Sequence, residues 1–274
     1  MIQVTKNVYV ETGMPACNLG LITTKEGVVM IDTPMRPTDA MRWRDEVSKK
    51  GNIRYLINTE EHADHWQGSY FFPGILITHQ ITRDKLAKVP AVEVIDRVKL
   101  IDPDGASLAK GYQVRLAEIT FTGSMNLHMG DHTVRLFNLP GHSTGGIGVY
   151  IPEERVVFTT DIIFHKLKSW LNESDPSQWF ASLKKLSGLD FDFIVPGHGD
   201  LCKKDYIEQQ TTTIRQWVEV VKSAIKQGLS LEEAQAKITS PDSYPKQPGT
   251  PRTEAELNKA IIARLYHLSS ESKL

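Results

Sequence analysis

Apolar residues fall in short β-branched runs through the first third of the chain, broken by glycine. Val8 to Val10, Leu19 to Thr23 and Val28 to Ile31 read as strands separated by turns at Gly20 and Gly27. Thr38 to Lys50 has the charged, Ala- and Met-containing look of a helix, with Thr38 or Asp39 as its N-cap. Ile53 to Ile57 and Gly74 to Thr78 read as further strands, and Arg83 to Leu100 as helix interrupted near Pro90. Strands return at Glu118 to Thr122, Thr133 to Leu139, Ile147 to Ile151 and Val156 to Thr159. A helix over Pro176 to Leu189 and a buried strand at Phe191 to Val195 follow. In the tail, Ile207, Ile214, Trp217, Val221 and Ile225 share one helical face, and Gly228 is a natural stop. Ser230-Leu231-Glu232-Glu233 and Thr253-Glu254-Ala255-Glu256 are capping boxes, the second opening a helix with Leu257, Ile261, Leu265 and Leu268 on one face. Strands then helix, twice over, suggest two similar halves packed face to face.

Composition narrows the class without fixing it. The 274 residues suffice for a large domain, 40% are hydrophobic, and the formal net charge is -1. No basic stripe invites nucleic acid, and no apolar run approaches a membrane span. The N-terminal residues lack the basic-then-apolar pattern of an export signal, so a cytoplasmic protein is expected. Cys17 and Cys202 are expected to be two buried free thiols.

Candidate chemistry gathers at strand ends. Glu60-Glu61-His62-Ala63-Asp64-His65 follows the strand ending at Ile57, Gly141-His142-Ser143 follows Leu139, and Asp161 follows Val156 to Thr159. Gly197-His198 follows Val195, and Asp32 follows Ile31. Imidazole and carboxylate are the usual ligands of zinc and similar ions, and glycine beside them allows tight turns. Loops after strand ends are also where sheets place their ligands.

The first four of these, in this order and with Gly68 behind the first, resemble the metallo-β-lactamase superfamily over roughly the first 200 residues. The resemblance implies an α+β fold, a four-layer αββα sandwich, over residues 1–202, with residues 203–274 as a C-terminal helical extension packed on it. It also implies two divalent metal ions, zinc first, with manganese or iron as alternatives. One ion would be held by Glu60, His62 and His142, the other by Asp64, His65 and His198, with Asp161 bridging and Asp32 buttressing from behind. The activity implied is hydrolysis of a small-molecule ester, lactone, thioester or amide by a metal-activated hydroxide, with Asp64 as the catalytic carboxylate. Trp66, Phe164 and His165 are candidate substrate contacts, and the tail helices are a candidate homodimer surface.

The chain departs from the family pattern at residue 60, where glutamate replaces histidine. Glu60 can ligate, swing away to leave a single ion, or favour a harder metal. With two divalent ions, the carboxylates of Glu60, Asp64 and Asp161 plus one hydroxide sum to neutrality, whereas histidine at 60 would leave a positive charge. Phe164 stands where the acyl-homoserine-lactone lactonases of this superfamily carry tyrosine. His62 stands where flavodiiron members carry glutamate, and the flavodoxin domain those members append is not expected here. The rival readings are a carboxylate-rich diiron or mononuclear iron redox protein, or β-lactamase-type amide hydrolysis as a side activity.

Overall fold

Alternation of side chains along each strand is what builds the layers. The computed structural model describes residues 1–271 except 249 and 251. Strands β1 (Ile2–Gln3), β2 (Val8–Glu11), β3 (Leu19–Thr24) and β4 (Gly27–Ile31) form an antiparallel meander. Helix α1 (Pro37–Ser48) crosses to β5 (Ile53–Ile57), which lies parallel to β4. The short α2 (Ala63–Trp66) leads to β6 (Ile75–His79), and α3 (Gln80–Leu86) and α4 (Ala91–Ile101) lead to β7 (Ile119–Phe121). Strand order in this seven-stranded sheet is sequence order.

The second sheet begins with β8 (Ser124–Met129), β9 (His132–Asn138), β10 (Ile147–Ile151) and β11 (Val156–Phe158), all antiparallel. After β12 (Phe164–His165) and α5 (Pro176–Ser187), β13 (Phe193–Val195) joins β11 in parallel. A two-residue strand β14 (His198–Gly199) pairs with β12. The tail is α6 (Tyr206–Lys226), α7 (Leu231–Lys237) and α8 (Glu254–Ser270).

In β4, Val29 and Ile31 face the other sheet and meet Leu136, Val149 and Phe158, while Val28 and Met30 face Trp43 and Val47 of α1. Period-two alternation thus feeds two cores at once. Each such aliphatic side chain contributes about 1.5–3 kcal/mol on burial. At Gly20 a Cβ would collide with the Phe158 ring, so glycine sets how closely the sheets approach. The outer face of the second sheet, with Phe137, Val157 and Ile194, packs on α5, α6 and α8. The result is the four-layer αββα sandwich.

Several elements differ from expectation for identifiable reasons. Helix α1 starts at Pro37 with Arg36 as N-cap, because proline is pre-set for the first helical turn and needs no N–H donor there. The interruption expected near Pro90 is present, residues 87–90 separating α3 from α4, but the first helix begins earlier than expected, at Gln80. Strand β8 was not anticipated: Ser124, Asn126 and His128 are exposed, and its apolar side is Met125, Leu127 and Met129, which join the core beside β9. His132 is buried between Glu154 and Asp131. Both capping boxes form. The tail's apolar face, a candidate dimer surface, is spent within the chain: Trp217, Val221, Leu257 and Ile261 belong to the core that includes Phe137 and Trp179. Both cysteines are free and buried. Among the described residues, no helix is long and apolar enough to cross a membrane.

Candidate metal centre

Strand ends converge at one place. Asp32 closes β4, the 60–65 run follows β5, His142 lies between β9 and β10, Asp161 follows β11, and His198 opens β14. Asp161 and Asp32 sit beside or in left-handed backbone, at Thr160 (φ 44°) and Asp32 itself (φ 56°), a conformation that non-glycine residues keep only where their surroundings hold them. At Gly197 a Cβ would collide with Asp161 Oδ1, so the glycine before His198 is what lets the two ligand loops meet.

Among the described residues four sets of donor atoms form, each within 4.8 Å: Glu60, His62 and His142; Asp64, His65 and His198; Glu60, His65 and Asp161; and, behind His65, Cys17, Asp32 and His65. Asp161 Oδ2 is 3.1 Å from His198 Nε2 and 3.5 Å from His142 Nε2, while Oδ1 is 3.3 Å from His65 Nε2. Asp161 therefore touches histidines of both principal sets. Asp64 Oδ2 is 3.4 Å from His198 Nε2. His62 Nδ1 lies 3.1 Å from His142 Nε2 and 2.5 Å from Glu60 Oε1. Glu60 points inward, 0% exposed, with Oε1 3.6 Å from His65 Nε2 and 3.8 Å from His142 Nε2. Ser143 Oγ donates to its other oxygen at 2.8 Å.

The ring nitrogens facing away from the centre are held by acceptors. His65 Nδ1 donates to Asp32 Oδ2 at 2.8 Å, and Asp32 is itself fixed by the Thr59 N–H and hydroxyl. His142 Nδ1 donates to the Trp170 carbonyl at 2.8 Å, and His198 Nδ1 to the Ala16 carbonyl at 3.2 Å. These contacts choose the tautomer and leave Nε2 bare towards the centre, the arrangement expected of metal-ligating histidines.

Charge agrees with that reading. Burial alone would raise the Asp161 and Asp64 pKa values, yet the His198 and His65 imidazoles hold both well below the usual carboxylate range. Burial would lower His198, but Asp161 and Asp64 push it up to about 10. Burial likewise opposes a charged His62, and Glu60 raises it well above the ordinary imidazole value. The carboxylates thus favour positive charge at their centre. His65 Nε2 and Asp161 Oδ1 are buried without a hydrogen-bond partner, a costly state unless something else satisfies them. Nitrogen and oxygen donors around two such atoms fit divalent ions.

The candidate substrate contacts fare differently. Trp66 is buried, its Nε1 donating to the Glu61 carbonyl and its ring packing on Leu86, Val94 and Tyr112, so it is core and not pocket wall. Phe164 is also buried, stacked on His198 at 5.4 Å and edge-on to His142 at 5.5 Å, so it props ligands and is shut off from substrate. His165 is half-exposed but turned to the Asp200 carbonyl and Tyr206. Sequence reasoning missed Glu61, whose carboxylate accepts from Lys85, Thr144 and Gly145 and ties the first motif to the His142 loop. Its place inside the motif was the available signal. Trp170 and Ala16 act through backbone carbonyls, which no side-chain pattern reveals.

The sequence profile of the metallo-beta-lactamase superfamily matches residues 12–198, and the chain belongs to that family. It is 25% identical over 186 residues to the 2,4-dinitroanisole O-demethylase subunit alpha of a Nocardioides species, covering 63% of this chain and 49% of that one. It is 27% identical over 163 residues to the hydroxyacylglutathione hydrolase of Brucella ovis, covering 59% and 52%. The chain thus spans about half the length of these curated relatives. Among solved structures, a metallo-beta-lactamase family protein of Thermus thermophilus matches with a TM-score of 0.72 at 16% identity, over 98% of this chain and 95% of that one. A sec-alkylsulfatase from a Pseudomonas species matches with a TM-score of 0.69 at 15% identity, over 97% and 49%. At such identities these structures speak to the fold alone.

Proposed function

We propose that the protein is a dinuclear zinc hydrolase acting on a small-molecule ester, lactone, thioester or amide. The observation that carries this reading is Asp161, whose Oδ2 contacts both His142 and His198 while its Oδ1 contacts His65, so that one carboxylate reaches histidines of both sets. Glu60, His62 and His142 would hold one ion and Asp64, His65 and His198 the other, with Asp161 common to both. When bound, a pair of divalent ions polarises the acyl oxygen of a substrate and lowers the pKa of water towards neutrality. The residues do the remainder. Asp64, whose side chain is 25% exposed, presents its carboxylate to the open side of the centre. It would take the proton of the attacking water and return it to the leaving group. Asp32, Trp170 and Ala16 keep the imidazoles aimed, so no reorganisation is needed during reaction.

The likeness to a thioester hydrolase and to an ether-cleaving subunit directs the substrate panel. Metal content and turnover measured together test the reading, on esters, lactones, thioesters, amides and a nitroaryl ether. Two zinc ions per chain, with hydrolysis abolished by chelation and restored by zinc, is the expected result. A single iron with a visible spectrum and no hydrolysis would overturn it in favour of redox chemistry.

A further inference from the structure

Three of the four histidines at the centre are oriented by acceptors on Nδ1, namely Asp32 and the Trp170 and Ala16 carbonyls, and the fourth, His62, is oriented by something else. Its Nδ1 faces Glu60 and His142, so Nε2 points outward, and there Glu173 Oε2 lies 3.5 Å away. His62 is 29% and Glu173 65% exposed, so this pair stands at the open mouth of the centre. Glu173 has no ion-pair partner other than His62 among the described residues.

The mounting of Glu173 is rigid. Ser174 N–H and Oγ both bond the Leu171 carbonyl, Asp175 N–H donates to the Gly141 carbonyl, and Arg264 of α8 donates to the Ser174 carbonyl. Asp175 also caps α5. The same turn carries the Trp170 carbonyl that orients His142. One short segment, Trp170 to Asp175, therefore addresses both histidines of the Glu60 set.

We propose that Glu173 is the positioning residue for His62, its carboxylate accepting the Nε2 proton so that Nδ1 stays free to ligate. The inference rests on the dinuclear reading above. A carboxylate behind a ligating imidazole fixes the tautomer and strengthens the nitrogen as a donor, and its removal typically weakens metal binding by about 10–100-fold. Because Glu173 is exposed and bonded to nothing in the core, its replacement leaves the fold intact.

Chelator competition on purified holoprotein tests this, with cobalt substitution as a second readout. Glu173→Ala is expected to weaken one of the two ions by about 10–100-fold, to shift the cobalt absorption bands, and to leave the apo melting temperature unchanged. Glu173→Gln, which keeps an acceptor, is expected to recover part of the affinity. Wild-type affinity and an unchanged cobalt spectrum in Glu173→Ala would overturn the proposal while leaving the hydrolase reading standing. Failure of the unmodified protein to bind a second ion would instead remove the reading on which it rests.

Discussion

The Glu60 carboxylate is wholly enclosed, and among the described residues its two oxygens meet only His62 and Ser143 at hydrogen-bonding distance. An ionised group in such a place is costly unless cations repay its lost hydration. Two metal ions would do so, which is why the replacement of the motif's first histidine is compatible with a complete centre. Glu60→Gln keeps the shape and removes the charge, so elemental analysis should find metal content falling from two ions towards one. Glu60→His should keep both. Two ions at wild-type affinity in Glu60→Gln would show that the carboxylate does not ligate. Asp64 offers a sharper test of chemistry, because it is the most exposed carboxylate within the ligand sets. Asp64→Ala and His142→Ala should each abolish turnover on whichever substrate the panel identifies, and near-wild-type rates from either would sink the mechanism.

Between elements, the contact that matters most is the Glu61 latch joining the loop after β5 to the loop before β10 and to α3. Burial opposes its ionisation, but the Lys85 ammonium, followed by His62 and Thr144, brings its pKa down to about 2 from an ordinary 4.5. A folded-state pKa below the unfolded one means the latch is fully stabilising above about pH 4.5 and is lost as pH falls towards 2. With Lys85 half-exposed to water, the contribution is on the order of 2 kcal/mol. Urea titrations at several pH values should show Glu61→Gln less stable than wild type at neutral pH, with the gap closing at acid pH; a gap independent of pH would refute the charge argument. What could be read beforehand follows from how each contact is encoded. Strands β3 to β6 were legible because their β-branched runs face two cores, and the ligand histidines because they cluster in local motifs. Strand β8 was not, since Ser124, Asn126 and His128 sit on a polar edge whose pairing depends on β9. Glu173, Trp170 and Ala16 were invisible because turns bring them to the centre from loops without periodicity.

Across the whole molecule, the tail is wired to the metal centre through the segment after β12. Gln210 of α6 accepts from Phe164 N–H and donates to Ser169 Oγ, and it is fully buried. Lys168 N–H donates to the Pro245 carbonyl, and its ammonium reaches Glu254 and Asn258 of α8 and Ser240. Gln247 donates to the Ala16 carbonyl, the group that also orients His198. Phe164 in turn packs on both His142 and His198. A shift of the tail would therefore be felt at two ligands. Gln210→Met tests the coupling, because it keeps the volume and leaves the Phe164 N–H and the Ser169 hydroxyl unsatisfied. One such orphaned group costs about 1–3 kcal/mol, enough to lower the melting temperature by several degrees. If the tail tunes the centre, chelator competition on this variant should also show weaker metal binding than a variant of equal stability loss in the remote α1 core, such as Val47→Ala. Equal metal affinity in the two would mean that the tail only packs, and that its contacts stop short of the ligands.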